Sequence, residues 1–306
     1  MFTRMGKSFF PSSFLIFLLF LTPLSVVAKD NPDLPPRFRV GVDTVVVRVT
    51  VTDPLNRYVL GLETEHFKLY DQKIEQQLTH FSNDNSPVSV GIILDMSGSM
   101  SHHILNARKS VIRFLEQGEV EDEYFLITFN QQTSLVQDFT RKSKNIQGEM
   151  SITSAKGRTA LYDAIYLGLE IIRKAQNEKK ALIIITDGED NSSRYTFSEV
   201  KDYVKESDVQ IYVIGERGEL GYGRGIIAEI VRLTGGRAFF PNNFKQLDYF
   251  CDLIHTELRN QYVLGYTPSD RNFKGKWRKI KVRLDPPDGM PRLKIRAKEG
   301  YLEPRK

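Results

Sequence analysis

The spacing of apolar and polar residues divides the chain into three rhythms. Before residue 88 the apolar runs are short. Val42, Val45, Val46, Val47, Val49 and Val51 crowd a strand from Val40 to Thr52, which turns at Asp53-Pro54-Leu55-Asn56-Arg57 and resumes at Tyr58-Val59-Leu60. Phe67 to Tyr70 alternates as a strand, Asp71-Gln72-Lys73 turns, and Ile74 to Phe81 follows. Short strands at this spacing predict a small antiparallel sandwich. The polar stretch from Ser82 to Pro87 ends it.

From Val88 strands and helices alternate, which predicts an α/β fold with a doubly wound, mostly parallel, Rossmann-like sheet. Val88, Val90, Gly91, Ile92, Ile93 and Leu94 read as a strand buried on both faces. Tyr124 to Phe129, Ala181 to Ile185 and Val209 to Ile214 read the same way, with Ser134 to Phe139 an edge strand and Arg237 to Phe240 a short final one. Helices are expected at Ile104 to Leu115, through Ile146, at Leu161 to Ala175, Phe197 to Lys205, Ile226 to Leu233 and Phe244 to Leu258. Strands return at Gln261 to Tyr266, Trp277 to Leu284 and Leu293 to Ala297. Three strands alone are marginal. They are therefore expected to complete the first sandwich, with segments 29–87 and 262–306 flanking an inserted domain at 88–261. The alternation of basic and apolar residues from Lys276 to Arg283 predicts one wet and one packed face.

Met1 to Ala28 reads as a secretory signal: Arg4 and Lys7 open it, Phe14 to Leu21 forms its apolar middle, and Val26-Val27-Ala28 offers a cleavage site. An uncleaved membrane anchor is the alternative; no other segment approaches the roughly 20 apolar residues of a membrane span. The chain is thus expected to be secreted or periplasmic. The net charge of +5 falls to +3 without that segment, too little to point to nucleic acid. The lone Cys251 lies on an amphipathic face with Leu247, Phe250, Ile254 and Leu258, which makes it a core thiol.

Chemistry concentrates after the first buried strand, at Asp95-Met96-Ser97-Gly98-Ser99. A loop leaving the carboxyl end of a central strand is where open α/β sheets bind ligands. Asp95 offers a carboxylate and Ser97 and Ser99 offer hydroxyls; Gly98 is expected to let the backbone curl so that they converge. Such hard oxygen donors suit Mg²⁺ or Ca²⁺. The stretch alone fits a metal loop and a Ser/Gly helix cap equally well. Two further loops leave the same edge: Gly157-Arg158-Thr159 brings a hydroxyl and Thr186-Asp187-Gly188 a carboxylate. Thr159 alone would read as an N-cap and Asp187-Gly188 as a turn, but three such loops in this order favour a shared metal.

These residues resemble the D-x-S-x-S, threonine and T-D-G motifs of the von Willebrand factor type A family, from about Val88 to Gln261. The resemblance implies a metal-ion-dependent adhesion site in which Ser97, Ser99 and Thr159 ligate Mg²⁺ through hydroxyls while Asp95 and Asp187 act largely through waters. Mn²⁺ or Ca²⁺ are alternative ions. A protein partner would supply an Asp or Glu to the open position. Asp163 looks like support for a helix start rather than a ligand. The flanks, Gly61-Leu62, His66-Phe67, Tyr70-Asp71, Tyr262 to Pro268 and Gly300-Tyr301, are similar to the acidobacterial-type VWFA-related proteins. The implied role is an exported, non-enzymatic adhesion module. A structural envelope protein with metal-rigidified loops is one alternative. A Mg²⁺-dependent phosphoryl-transfer enzyme with Asp95 as nucleophile and His102 or His103 as acid/base is another; the chain has no HExxH, G-x-S-x-G or phosphate loop.

Overall fold

The structure, a computed structural model, describes residues 44–150, 155–187, 189–215, 223–242, 244–270 and 275–303. The expected signal, the leader after it and the first residues of the valine-rich run lie outside them. Among the described residues no helix is long and apolar enough to cross a membrane.

The valine run folds as β1 (Val45–Thr52), followed by β2 (Phe67–Asp71), β3 (Ile74–Gln76) and β4 (Leu78–Asp84). Then β5 (Val88–Asp95), α1 (Ile104–Glu116), β6 (Glu123–Phe129), β7 (Thr133–Thr140), α2 (Ser143–Met150), α3 (Leu161–Ile172), β8 (Lys179–Thr186), α4 (Phe197–Glu206), β9 (Gln210–Gly215), α5 (Gly223–Thr234), β10 (Ala238–Phe239) and α6 (Leu247–Arg259) alternate. The chain closes with β11 (Gln261–Tyr266), β12 (Trp277–Leu284), β13 (Lys294–Ala297) and β14 (Gly300–Leu302).

The central sheet has six strands in the order β10-β9-β8-β5-β6-β7, and all run parallel except the edge strand β7. Every residue of β5 is buried, as a strand covered on both faces requires. Val90, Ile92 and Leu94 pack with α1, α2 and α6 on one face; Ile93 packs with α3, α4 and α5 on the other. The chain leaves β5 towards β6 and later returns to β8 on the opposite side, so the order switches between β5 and β8. The α4 start is fixed by a capping box in which Thr196 and Glu199 exchange hydrogen bonds. Cys251 is buried among the apolar residues of α6, and burial pushes its thiol up, as a core thiol rather than a nucleophile requires.

Two antiparallel four-stranded sheets flank this unit, in the orders β13-β1-β11-β4 and β14-β12-β2-β3. Strands from both ends of the chain interleave: β1 lies between β11 and β13, and β12 lies beside β2. Val47, Val49, Leu69, Tyr262, Leu264 and Ile280 share their core. The two parts meet at the end of α6, where the buried Glu257 accepts hydrogen bonds from Thr50 and Tyr212 and pairs with Arg296.

Three expectations change in detail. Tyr58-Val59-Leu60 forms no strand, only a bridge from Tyr58 to Thr52. The Asp53 carboxylate accepts from the Leu55 and Arg57 amides and closes the chain into a turn before pairing can extend. The strand expected over 237–240 shortens to Ala238–Phe239. In β12 the wet face is Lys279, Lys281 and Arg283, but Arg278 falls in phase with Ile280 and is buried, 1% exposed. It is accommodated because Asp71, which ends β2 opposite Ile280, lies within reach of its guanidinium. The guanidinium Nε donates to Asp71 at 2.9 Å, Nη1 donates to the Asp270 carbonyl at 2.6 Å, and Glu303 pairs at 2.9 Å.

Candidate metal centre

The carboxyl ends of β5 and β8 lie side by side at the point where strand order reverses, the crevice in which open α/β sheets place ligands. Asp95 is the last residue of β5 and is fully buried. Its Oδ1 accepts from the Ser97 amide at 2.7 Å and its Oδ2 from the Thr186 hydroxyl at 2.6 Å. The Ser97 and Ser99 hydroxyls stand 3.1 Å apart, and Ser99 Oγ donates to Asp187 Oδ1 at 2.7 Å. Four of the five residues singled out from the sequence therefore join in one hydrogen-bonded chain across the β5–β8 seam.

Thr159 reaches the same edge by another route. The loop before it is laid over the β5 loop, with the Lys156 amide donating to the Met96 carbonyl at 2.8 Å and the Gly98 amide to the Gly157 carbonyl at 2.9 Å. Gly157 has φ +92°, and a Cβ there would strike the Gln131 amide oxygen at 1.7 Å. Here the curl demands glycine. Gly98 does not supply it: its φ is −61°, and a Cβ would sit 3.5 Å from the nearest atom. The expectation that Gly98 bends the loop is thus corrected; the 95–99 loop turns there on ordinary helical dihedrals.

Thr159 is buried, 3% exposed, and is not the N-cap of α3, a position held by Ala160. Its amide donates to Asn191 Oδ1, and its carbonyl accepts from the Asn191 and Ser192 amides. Its hydroxyl bonds none of the other four residues and has no hydrogen-bond partner among the described ones. Asp163, in the first turn of α3, accepts from the Arg194 and Tyr195 amides and pairs with the Arg194 guanidinium, so it clamps the turn after Asp187. His102 is exposed, and His103 precedes α1 without a side-chain capping bond.

Two buried carboxylates, Asp95 and Asp187, meet at this seam. Burial, reinforced by the nearby Asp187 charge, pushes Asp95 up to about 6 in spite of hydrogen bonds from Thr186 and Ser97. Among the described residues no group of three His, Cys, Asp or Glu side chains is placed to hold a metal. The donors available are two carboxylates and three hydroxyls, all oxygen, which fits a hard divalent ion better than a thiophilic one. The sequence offers Glu189, Asp190 and Asn191 as a solvated acidic turn or a second cation site, and the supporting roles of Thr186 and Asn191 come only from the structure. Thr186 stands in the T-D-G motif itself, whereas Asn191 carries no pattern that separates it from an ordinary loop residue.

The fold and this loop together define a doubly wound α/β domain with a D-x-S-x-S turn at its switch point. Residues 90–189 match the family model of the von Willebrand factor type A domain. Among solved structures it is similar to a von Willebrand factor type A protein from Catenulispora acidiphila, at 10% identity over 86% of this chain and 74% of that one, with a TM-score of 0.52. Proximal thread matrix protein 1 from the mussel byssus, in a structure with a zinc-occupied MIDAS motif, matches at 14% identity over 61% of this chain and 49% of that one, TM-score 0.51. An aerotolerance-related membrane protein from Bacteroides fragilis matches at 19% identity over 56% and 98%, TM-score 0.47. At these identities the likeness concerns the fold. Among curated proteins none matches the sequence.

Proposed function

We propose that this chain is an exported, non-enzymatic protein-interaction module. Asp95, Ser97, Ser99, Thr159 and Asp187 would hold a divalent cation, with Mg²⁺ as the expected ion, and a partner protein would add an Asp or Glu carboxylate. The observation that carries this reading is the convergence of two buried carboxylates, Asp95 and Asp187, joined through Ser97 and Ser99 at one seam. When bound, the ion supplies positive charge and an open coordination position for an outside oxygen ligand. The protein residues hold Asp95 in place through Thr186, aim the two serines across the seam, and leave the Thr159 hydroxyl uncommitted.

A binding role suits Asp95 better than a nucleophilic one. Its carboxylate is 0% exposed and each oxygen accepts one hydrogen bond, which fixes its orientation and leaves it suited to hold water or an ion rather than to reach a phosphoryl group in solvent. The interleaving of β1 with β11 and β13 supports reading the α/β domain as an insertion into the sandwich, with 29–87 and 262–306 as its two halves. Export rests on the signal-like segment 1–28.

Titration calorimetry of the chain with Mg²⁺ tests the site. Heat of binding is expected for the parent and not for Asp95→Ala, and Zn²⁺ and Mn²⁺ should compete for the same site. A pull-down from the cell envelope with and without Mg²⁺ tests the role. Capture that survives both chelator and Asp95→Ala would falsify metal-dependent binding.

A further inference from the structure

The rim around the candidate ion is built from four loops: 96–99, 130–132, 156–159 and 189–194. The Asn130 side chain donates to the Lys156 carbonyl, the Arg158 amide donates to Gln131 Oε1 at 3.2 Å, and the Arg158 guanidinium donates to the Asn191 carbonyl. The Asn130 and Arg158 amide bonds, with the Gly98–Gly157 bond, tie the loops into one collar that does not depend on the Arg158 guanidinium.

Charges on this collar have unequal fates. Asp190 accepts from the Ser193 hydroxyl and the Tyr162 amide at the start of α3. Glu189 accepts from the Gly223 amide at the start of α5. Both carboxylates are half-buried and turned onto helix amino ends, where the peptide dipoles offset their charge. The Arg194 guanidinium is paired with Asp163. Lys156 and Arg158 differ. Both are exposed, neither meets a carboxylate among the described residues, and the only guanidinium partner of Arg158 is a neutral carbonyl. They stand two residues apart on the loop that ends at Thr159, so two positive charges are carried on one side of the proposed metal position.

Resting on the metal-dependent reading above, we infer that the partner presents an acidic segment: the carboxylate that meets the ion is flanked, within two or three residues, by further Asp or Glu side chains that reach Lys156 and Arg158. A single acid in a neutral setting would leave those two charges unanswered. The flanking pairs lie in solvent, so they add selectivity and faster encounter more than raw affinity.

The test uses the full chain and two fluorescein-labelled peptides of equal length, one with a single Asp in a Gly/Ser background and one with that Asp flanked on either side by Asp and Glu. Binding is followed by anisotropy in Mg²⁺ and in chelator. In Mg²⁺ and about 0.05 M salt the acidic peptide is expected to bind roughly five-fold tighter, and the contrast should fall below about two-fold near 0.5 M salt. K156Q/R158Q should erase the contrast while leaving the single-Asp affinity in place, and R158K, which keeps the charge, should retain it. Calorimetry with Mg²⁺ alone confirms that the variants keep the site, and their expected metal affinity is equal to or slightly above the parent's.

Equal affinities for the two peptides, or a contrast that survives K156Q/R158Q, overturn the inference while leaving metal-dependent capture standing. Absence of Mg²⁺-dependent binding by either peptide overturns both. Metal-independent binding of heparin that K156Q/R158Q abolishes would assign the two charges to a polyanion and also overturn the inference.

Discussion

Asp71 and Asp95 occupy matching places: each is the last residue of a strand, each is fully buried, and each accepts from a neighbouring hydroxyl. Their surroundings differ in one respect. Asp71 faces the buried guanidinium of Arg278, which completes its charge balance within the chain. Asp95 faces a second carboxylate, Asp187, through two serines. A buried carboxylate matched by the protein's own cation is architecture; one set beside another carboxylate is the arrangement on which the proposed cation site rests. The sandwich and the sheet edge thus use the same residue type for opposite purposes.

The sharpest way to break this contrast is at the balanced pair. Arg278→Met should cost about 3–5 kcal/mol because it leaves Asp71 buried and unpaired. Urea unfolding measures it, and combining Arg278→Met with Asp71→Leu should recover most of the loss. Asp95→Asn, measured in chelator, should stay within about 1 kcal/mol of the parent, since it removes one of two like charges that repel each other. A loss as large as that of Arg278→Met would mean that Asp95 has an internal partner after all.

Mg²⁺ should have the next largest effect. At 100 times its Kd the ion should stabilise the fold by about 2.7 kcal/mol. The gain should vanish in Asp95→Asn and survive in Gly98→Ala. An equal gain in Asp95→Asn would place the ion elsewhere. Below that, Gly157→Ala should cost about 1–2 kcal/mol for its left-handed backbone, with a further penalty from the Gln131 clash. Gly98→Ala should change stability by less than about 0.5 kcal/mol. The two glycines flank the same seam, so thermal melts of both variants separate backbone demand from mere proximity.

That pair also shows what the sequence made legible. Long apolar runs such as Val88 to Leu94 announce their burial, and with it the alternating sheet, because covering both faces of a strand leaves no polar phase. Asp95, Ser97, Ser99 and Asp187 stood out because polar residues crowd the ends of such strands. Gly98 and Gly157 look alike in the sequence, and only the dihedrals tell which is strained. Arg278 was misplaced because its class predicts water; its phase along β12 and the position of Asp71 across the sheet decide otherwise. The hydrogen bonds that fix the site, from Thr186 to Asp95 and from the Thr159 amide to Asn191, join residues 91 and 32 positions apart. No local period encodes contacts of that kind.

The smallest expected effect on stability discriminates most finely within the site. Thr159 and Thr186 are both buried threonines at its edge, but the Thr186 hydroxyl is committed to Asp95 at 2.6 Å while the Thr159 hydroxyl has no partner among the described residues. Thr186→Val should therefore cost about 1–2 kcal/mol in chelator, because it strips a hydrogen bond from a buried carboxylate. Thr159→Val should leave metal-free stability within about 0.5 kcal/mol, yet weaken Mg²⁺ binding on the order of ten-fold, as loss of a direct oxygen ligand to a hard ion requires. Paired chemical denaturation and calorimetry read the two quantities separately. If Thr159→Val loses stability without losing Mg²⁺ affinity, its hydroxyl belongs to the fold rather than to the ion, and the donor set shrinks to the four residues already joined across β5 and β8.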